Sequence, residues 1–267
     1  MPLSVCATPI GNLEDVTLRV LRELGEADLL LAEDTRRARI LLERHGLSAR
    51  PLSYHEHNEA RRIGEILPRL VAGERVALIS DAGLPGISDP GARLVGACIA
   101  EGIPVTVLPG PSAAETALVT SGFEFERYQF LGYLPRTERA LRQLWTELAG
   151  WPHPAVGFES PRRLPATLES LAEALPGRPL AVCRELTKAF EEVVRGDPAE
   201  LVSRFAHPPK GEITIVLGPG RPAPADESAA LRAVADLVAA GVSRRRAAEI
   251  VSGLTALGRN RLYRASL

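Results

Sequence analysis

The stretch Ser80-Asp81-Ala82-Gly83-Leu84-Pro85-Gly86-Ile87-Ser88-Asp89-Pro90-Gly91 lies between the apolar run Val76-Ala77-Leu78-Ile79 and a helical pattern over residues 92–100. The apolar run reads as a buried parallel strand. Ligand clefts in open α/β sheets lie beyond the carboxyl ends of their strands, so this loop stands where a site is expected. Its three glycines and two prolines fix its path and let a ligand approach the backbone closely.

The same unit repeats on both sides of it. Strands are expected over residues 5–7, 29–32 and 105–108. Helices are expected over 16–24, with Asp15 as cap, over 36–45 before Gly46, and over 60–72 before Gly73. Alternating strands and helices of this length imply a parallel sheet with right-handed crossovers. A boundary is expected at residues 122–126, after which the pattern changes. Strands at 128–131, 155–158, 180–183, 192–195 and 213–217, with a hairpin around Lys188, predict a mixed sheet. Helices at 137–149 and 164–174 accompany it. The fold class is therefore α/β, with a parallel-sheet domain over 1–122 and a mixed-sheet domain over 123–218. A Pro-rich linker over 219–226 precedes a helical, basic segment over 227–267.

Composition sets bounds on function. With 267 residues, 45% hydrophobic and 24% charged, the chain can bury a sizeable core. A net charge of −1 does not demand a polyanionic partner, so nucleic-acid binding would need local arginines. No apolar run reaches a membrane span and the N-terminus lacks a signal pattern, so a cytoplasmic location is expected. Cys6, Cys98 and Cys183 are far apart and odd in number, which reads as core thiols. Lys188 and Lys210 are the two lysines among 32 basic residues, so the other 30 are arginines.

No Gly-x-Gly-x-x-Gly follows the first strand, where the chain reads Thr8-Pro9-Ile10-Gly11-Asn12-Leu13, and no phosphate-binding Gly-x-x-x-x-Gly-Lys-Ser/Thr loop occurs. NAD and ATP are thereby disfavoured. Glu33-Asp34-Thr35-Arg36-Arg37 follows the second strand, either as a helix cap or as a polar wall at the same sheet edge. His55-Glu56-His57-Asn58-Glu59 lacks metal-ligand spacing, and no metal is expected. Pro109-Gly110-Pro111-Ser112 joins a strand to a helix, without the elbow of a hydrolase nucleophile.

These segments occur in order with Phe158-Glu159-Ser160, Arg184-Glu185-Leu186-Thr187-Lys188 and Lys210-Gly211-Glu212. Together they resemble the ribosomal RNA small-subunit methyltransferase I family, within the tetrapyrrole-methylase superfamily. The resemblance covers about residues 3–217. It implies a homodimeric two-domain enzyme that uses S-adenosylmethionine to methylate the ribose 2′-oxygen of a cytidine in the decoding region of small-subunit RNA. By motif position it places cofactor contacts on Pro9, Asp81, Ala82, Gly83, Ile87, Ser112, Ala113, Glu159 and Leu186. Glu33, Asp34 and Lys188 are the catalytic candidates. Arg36, Arg162, Arg163, Arg244, Arg245 and Arg246 are the RNA-binding candidates. A methylase of a small tetrapyrrole and a non-catalytic RNA-binding assembly factor stay open as alternatives.

Overall fold

A computed structural model describes residues 2–220, 227–255 and 257–267. Most of the expected linker, from residue 221 on, lies outside the described residues. The chain forms two compact units, one of Met1–Thr146 and His153–Pro219, the other of Glu147–Pro152 and Gly220–Leu267.

The first unit opens with β1 (Leu3–Cys6), α1 (Leu18–Glu26), β2 (Leu29–Ala32), α2 (Thr35–Arg44) and β3 (Pro51–Ser53). There follow α3 (Glu59–Val71), β4 (Val76–Ile79), α4 (Ala92–Ala100), β5 (Val105–Leu108) and α5 (Ala113–Ser121). The five strands form an all-parallel sheet in the order β3-β2-β4-β1-β5. Alternation along the strands divides the core. Val5, Leu31, Val76 and Leu78 pack with Ile66 and Leu70 of α3 and Leu94 and Cys98 of α4. Cys6, Leu30, Ala77 and Ile79 pack with Val20 and Leu24 of α1 and Leu41 and Leu42 of α2. Each fully buried aliphatic contributes about 1.5–3 kcal/mol, so both faces need helices.

The connections from β1 and β4 leave in opposite directions across the sheet, since β2 lies beyond β4 and β5 beyond β1. A crevice therefore opens at their carboxyl ends. There Thr8 and Gly83 exchange backbone hydrogen bonds of 2.8 and 3.0 Å, and the Thr8 hydroxyl donates to the Ser80 carbonyl at 3.1 Å. Gly83 lies at φ +75°, a turn that favours glycine.

The chain continues through β6 (Gln129–Tyr133), α6 (Glu138–Ala149), β7 (Ala155–Glu159), α7 (Leu164–Ala174), β8 (Leu180–Arg184), β9 (Glu192–Gly196), α8 (Pro198–Arg204) and β10 (Ile213–Leu217). These strands form the expected mixed sheet, in the order β6-β7-β10-β8-β9, with β6 parallel to β7 and the other pairs antiparallel. The hairpin around Lys188 is β8–β9. α5 packs on β7 to β10, burying Ala114, Ala117 and Leu118 against Val156, Ala181 and Val216. Its last carbonyls, on Thr120 and Ser121, accept from the Arg195 guanidinium, a cation at a helix C-terminus.

Four local readings change. α1 starts at Leu18 because the Thr17 side chain accepts from the Val20 amide at 3.1 Å, while Asp15 sits in a separate 3₁₀ turn capped by Asn12. β3 is an edge strand of three residues with no alternation to reveal it. α8 carries a capping box, Asp197 with Glu200, that goes unused in the sequence reading. In the second unit α9 (Glu227–Ala239) and α10 (Arg244–Leu254) are joined by a further helix, α11 (Arg259–Ala265). Ala230, Val234, Ala247, Ala248, Val251 and Leu262 form their shared core. A bidentate pair of Arg261 with Glu227, at 2.7 and 2.6 Å, ties α11 to α9.

The three cysteines are buried and unbridged. Burial first of all pushes the Cys6 and Cys183 thiols up to about 12, which leaves them unreactive. Among the described residues no helix is long and apolar enough to cross a membrane.

Gly11 tests the crevice packing. A Cβ there would stand 2.6 Å from Lys188 Cγ and 2.7 Å from the Leu186 carbonyl oxygen. Gly11→Ala is expected to lower stability in urea by about 1–3 kcal/mol. Gly64→Ala, in α3 with open space around it, should be neutral or stabilising.

Candidate active site

A cavity of about 280 Å³ opens at the crevice, bounded by Pro9, Gly11, Arg37, Asp81, Lys188 and Glu212 among others. It draws on the loops after β1 and β4, the start of α2, the β8–β9 turn and the approach to β10. Sequence-distant motifs therefore meet because each sits at a strand end.

Carboxylates dominate the side next to β2 and β4. The Asp34 amide donates to Asp81 Oδ1 at 2.9 Å, and the Asp81 amide points at Glu33 Oε2 at 3.5 Å. Arg37 Nε stands 3.6 Å from Asp81 Oδ2. Burial and the neighbouring Asp81 raise the Glu33 pKa, against the Asp81 amide and the positive charge of Arg37. Burial and then Glu33 push Asp89 up to about 6, with the Ser80 hydroxyl opposing. Glu33 and Asp89 thus hold their protons more tightly than ordinary carboxylates, with the Asp81 charge beside both. Asp89 is missing from the sequence candidates. Its signal was its place in the Gly/Pro loop after a strand, a signal shared by every polar residue of that loop.

On the opposite wall Lys188 Nζ stands 2.7 Å from both Glu185 Oε1 and Glu212 Oε2. Burial opposes its charge, but the two carboxylates outweigh it and its pKa is raised. The turn it closes is strained, with Glu185 at φ +52° and Thr187 at φ +67°.

The expected cofactor residues separate into two groups. Ala82, Ala113 and Leu186 gather around Ile10 in one apolar cluster. Pro9 and Asp81 line the cavity, Gly83 makes the bridge to Thr8, and Ile87 stands half exposed on the loop. Ser112 donates its hydroxyl to Glu115. The Glu159 carboxylate is engaged within the protein. It is fully buried, and it accepts from the Ser160 amide, the Thr167 hydroxyl at 2.6 Å and the Arg163 guanidinium. Arg163 also donates to the Leu134 and Pro135 carbonyls at 2.8 and 3.0 Å. It is therefore an internal strap rather than a free RNA contact.

Two of the catalytic candidates, Asp34 and Lys188, are held in ion pairs. Asp34 caps α2 through the Arg36 amide at 2.8 Å and pairs with the Arg36 guanidinium at 2.6 Å. Those bonds hold its carboxyl far below the usual range, so it is a poor base. Lys188 is a clamp between two loops rather than an unpaired cation. Arg36, Arg162, Arg245 and Arg246 are exposed, and Arg244 is half-buried. Arg246 pairs with Glu249 at 2.9 Å. The His55–Glu59 motif is a brace. The Asn58 side chain accepts from the His55 amide at 2.9 Å, and Glu59 accepts from Tyr54 at 2.8 Å and from the Gly91 amide at 3.3 Å.

The family model for tetrapyrrole (corrin/porphyrin) methylases matches residues 2–202, and the chain belongs to that family. Within it, the chain is similar to proteins named ribosomal RNA small subunit methyltransferase I. The relative from Thermotoga maritima is 47% identical over 216 residues, 80% of this chain and 97% of the relative. The relative from Mesorhizobium japonicum is 44% identical over 269 residues, 99% of this chain and 91% of the relative. Two solved structures share the fold. The uroporphyrin-III-C-methyltransferase of Thermus thermophilus has a TM-score of 0.55 at 22% identity, over 81% of this chain and 93% of that one. A cobalt precorrin-4 methyltransferase has a TM-score of 0.61 at 19% identity, over 81% and 94%.

The acid cluster makes stability depend on pH. Asp89 titrates near 6 when folded and near 4 when unfolded. Its ionisation therefore penalises the fold, by an amount that grows as pH rises through that window and is complete above it. Asp89→Asn is expected to raise the thermal midpoint at pH 8 and to leave it nearly unchanged at pH 4, by differential scanning calorimetry.

Proposed function

We propose that the protein transfers a methyl group from S-adenosylmethionine to the ribose 2′-oxygen of a cytidine in the decoding region of small-subunit ribosomal RNA. The observation that carries this reading is the meeting of a coupled acid cluster and a small-residue apolar cluster at one crevice. Family membership and the names of the relatives supply the substrate class.

The residues present fit the cofactor. Ala82, Gly83 and Ala113 keep the walls low beside Ile10 and Leu186, which suits a flat ring system. Asp81 and Arg37 offer opposite charges to an amino-acid group, and the acids suit a sulfonium cation. When bound, S-adenosylmethionine supplies an electrophilic methyl group on that sulfonium.

A ribose hydroxyl is a weak nucleophile, so its proton must be accepted as it attacks. Glu33 is the base in this reading. Its raised pKa gives it more affinity for that proton than an ordinary carboxylate has. Burial and the neighbouring Asp81 maintain the shift. Asp34 positions Glu33 by capping α2, and the Lys188 clamp holds the β8–β9 turn against Gly11. Alignment of oxygen, methyl and sulfur supplies much of the remaining rate.

RNA contact falls to arginines at the surface, all exposed except the half-buried Arg244. Arg36 and Arg162 lie in the first unit, and Arg244, Arg245 and Arg246 open α10 in the second. Three cations at a helix N-terminus oppose its dipole, so they cost stability where they stand. A polyanionic partner would offset that cost. This arrangement, with the relatives' names, favours RNA over a small tetrapyrrole. The reading also includes the division into domains over 1–122 and 123–218, a homodimer and a cytoplasmic location. β5, an edge strand that turns Val107 outward, supports a second copy.

Purified protein should transfer tritium from labelled S-adenosylmethionine to small ribosomal subunits, with 2′-O-methylcytidine as the nucleoside product, and run as a dimer by light scattering. Glu33→Gln should lower the single-turnover rate about 10²–10⁴-fold with cofactor affinity retained by calorimetry. Its loss should remove the rise in rate with pH. An unchanged rate would exclude Glu33 as the base. Deleting residues 227–267 should weaken subunit binding and flatten its salt dependence, with cofactor binding kept; unchanged subunit affinity would exclude the tail.

A further inference from the structure

We infer that Tyr133 is the platform on which the base of the acceptor nucleotide stacks, a role that rests on the RNA-methylation reading above. Tyr133 ends β6 and is 68% exposed. It is also held in place. Its ring meets Phe158 edge-on, with centroids 5.5 Å apart, and Phe158 meets Phe130 in the same way at 5.3 Å. The Leu134 amide donates to the Phe158 carbonyl at 2.9 Å, and the Arg163 strap holds the Leu134 and Pro135 carbonyls. The chain that follows Tyr133 is thereby pinned.

The sequence immediately before it brings this end of β6 beside the loop that carries Asp89. The β6–β7 register shifts between Phe130 and Tyr133, and Gly132 takes φ +64° at the bulge. A Cβ on Gly132 would lie 3.7 Å from the Ser88 hydroxyl, so the bulge abuts the residue beside Asp89. Apart from burial, the groups that bear on the Tyr133 hydroxyl are Asp89, Glu212 and Glu33, in that order. All three raise its pKa and keep the phenol neutral. Tyr133 therefore lies near the carboxylates assigned to the hydroxyl chemistry and is open to solvent.

A nucleotide whose 2′-hydroxyl reaches Glu33 must leave its stack in the RNA, and its base then needs a new surface. An exposed ring with fixed orientation supplies one at low entropic cost. The ligand class is an extruded nucleobase attached to a polymer. Phe130 and Phe158 are half-buried, so Tyr133 carries the exposed ring of this trio.

The test compares Tyr133→Phe, Tyr133→Trp and Tyr133→Leu in methyl transfer to small subunits. Cofactor affinity is measured by calorimetry and folding by thermal midpoint. Loss of one base stack lowers kcat/KM about 10–100-fold, so Leu should fall by that amount while Phe and Trp stay within a few-fold of the parent. All variants should bind S-adenosylmethionine as the parent does. A Leu variant as active as the parent overturns the inference. So does a Phe variant as impaired as Leu, since the hydroxyl and not the ring would then matter. Failure of the underlying reading appears separately, as absence of transfer to small subunits by the parent protein.

Discussion

The pair of backbone hydrogen bonds between Thr8 and Gly83 is the constraint on which the site depends. β1 and β4 are adjacent, yet their connections leave in opposite directions. Without a tie the two loops would splay. The bridge draws them together using main-chain groups alone, which would otherwise be buried without partners. Side chains on both loops are then free to face a ligand. Gly83 is required for the turn, and Thr8 adds its hydroxyl bond to Ser80 so that the joint cannot rotate.

Around that joint the protein places like charges close together. Glu33, Asp81 and Asp89 share one corner of the crevice, and the fold tolerates them because helix caps, arginines and backbone amides hold them apart in role. Asp34 takes the cap and the ion pair and stays ionised. Glu33 and Asp89, half-buried with fewer donors, keep a raised affinity for protons. Two adjacent acids in sequence, Glu33 and Asp34, thus have opposite electrostatic characters set by their surroundings.

The parallel sheet and the mixed sheet were legible because their strands are short apolar runs separated by Gly, Pro and cap residues. The strand at 213–217 and the helix at 164–174 agree residue for residue. β3 was hidden because an edge strand of three residues needs no pattern of its own. α1 shifted because Asp15 and Thr17 both satisfy a capping preference, and only the tertiary course of the turn decides between them. In the site, the motifs named the right loops but not the duties within them. Glu159 and Arg163 look like exposed polar groups in a motif, and only their burial against β6 makes them a strap. Asp89 and Tyr133 do not stand out in the sequence, because what sets them apart comes from neighbours distant in it.

The Lys188 clamp bears on the composition of the whole chain. Nearly every cation here has become arginine, as mutational drift toward one set of codons would produce. At 188 that drift meets a steric limit. The ammonium fits as a point between two carboxylates, with its stem packed where Gly11 passes. A planar guanidinium is wider and presents its donors in a fork. Nothing in the structure explains Lys210. At 188, the geometry around a single atom favours lysine in a chain whose cations are otherwise nearly all arginine.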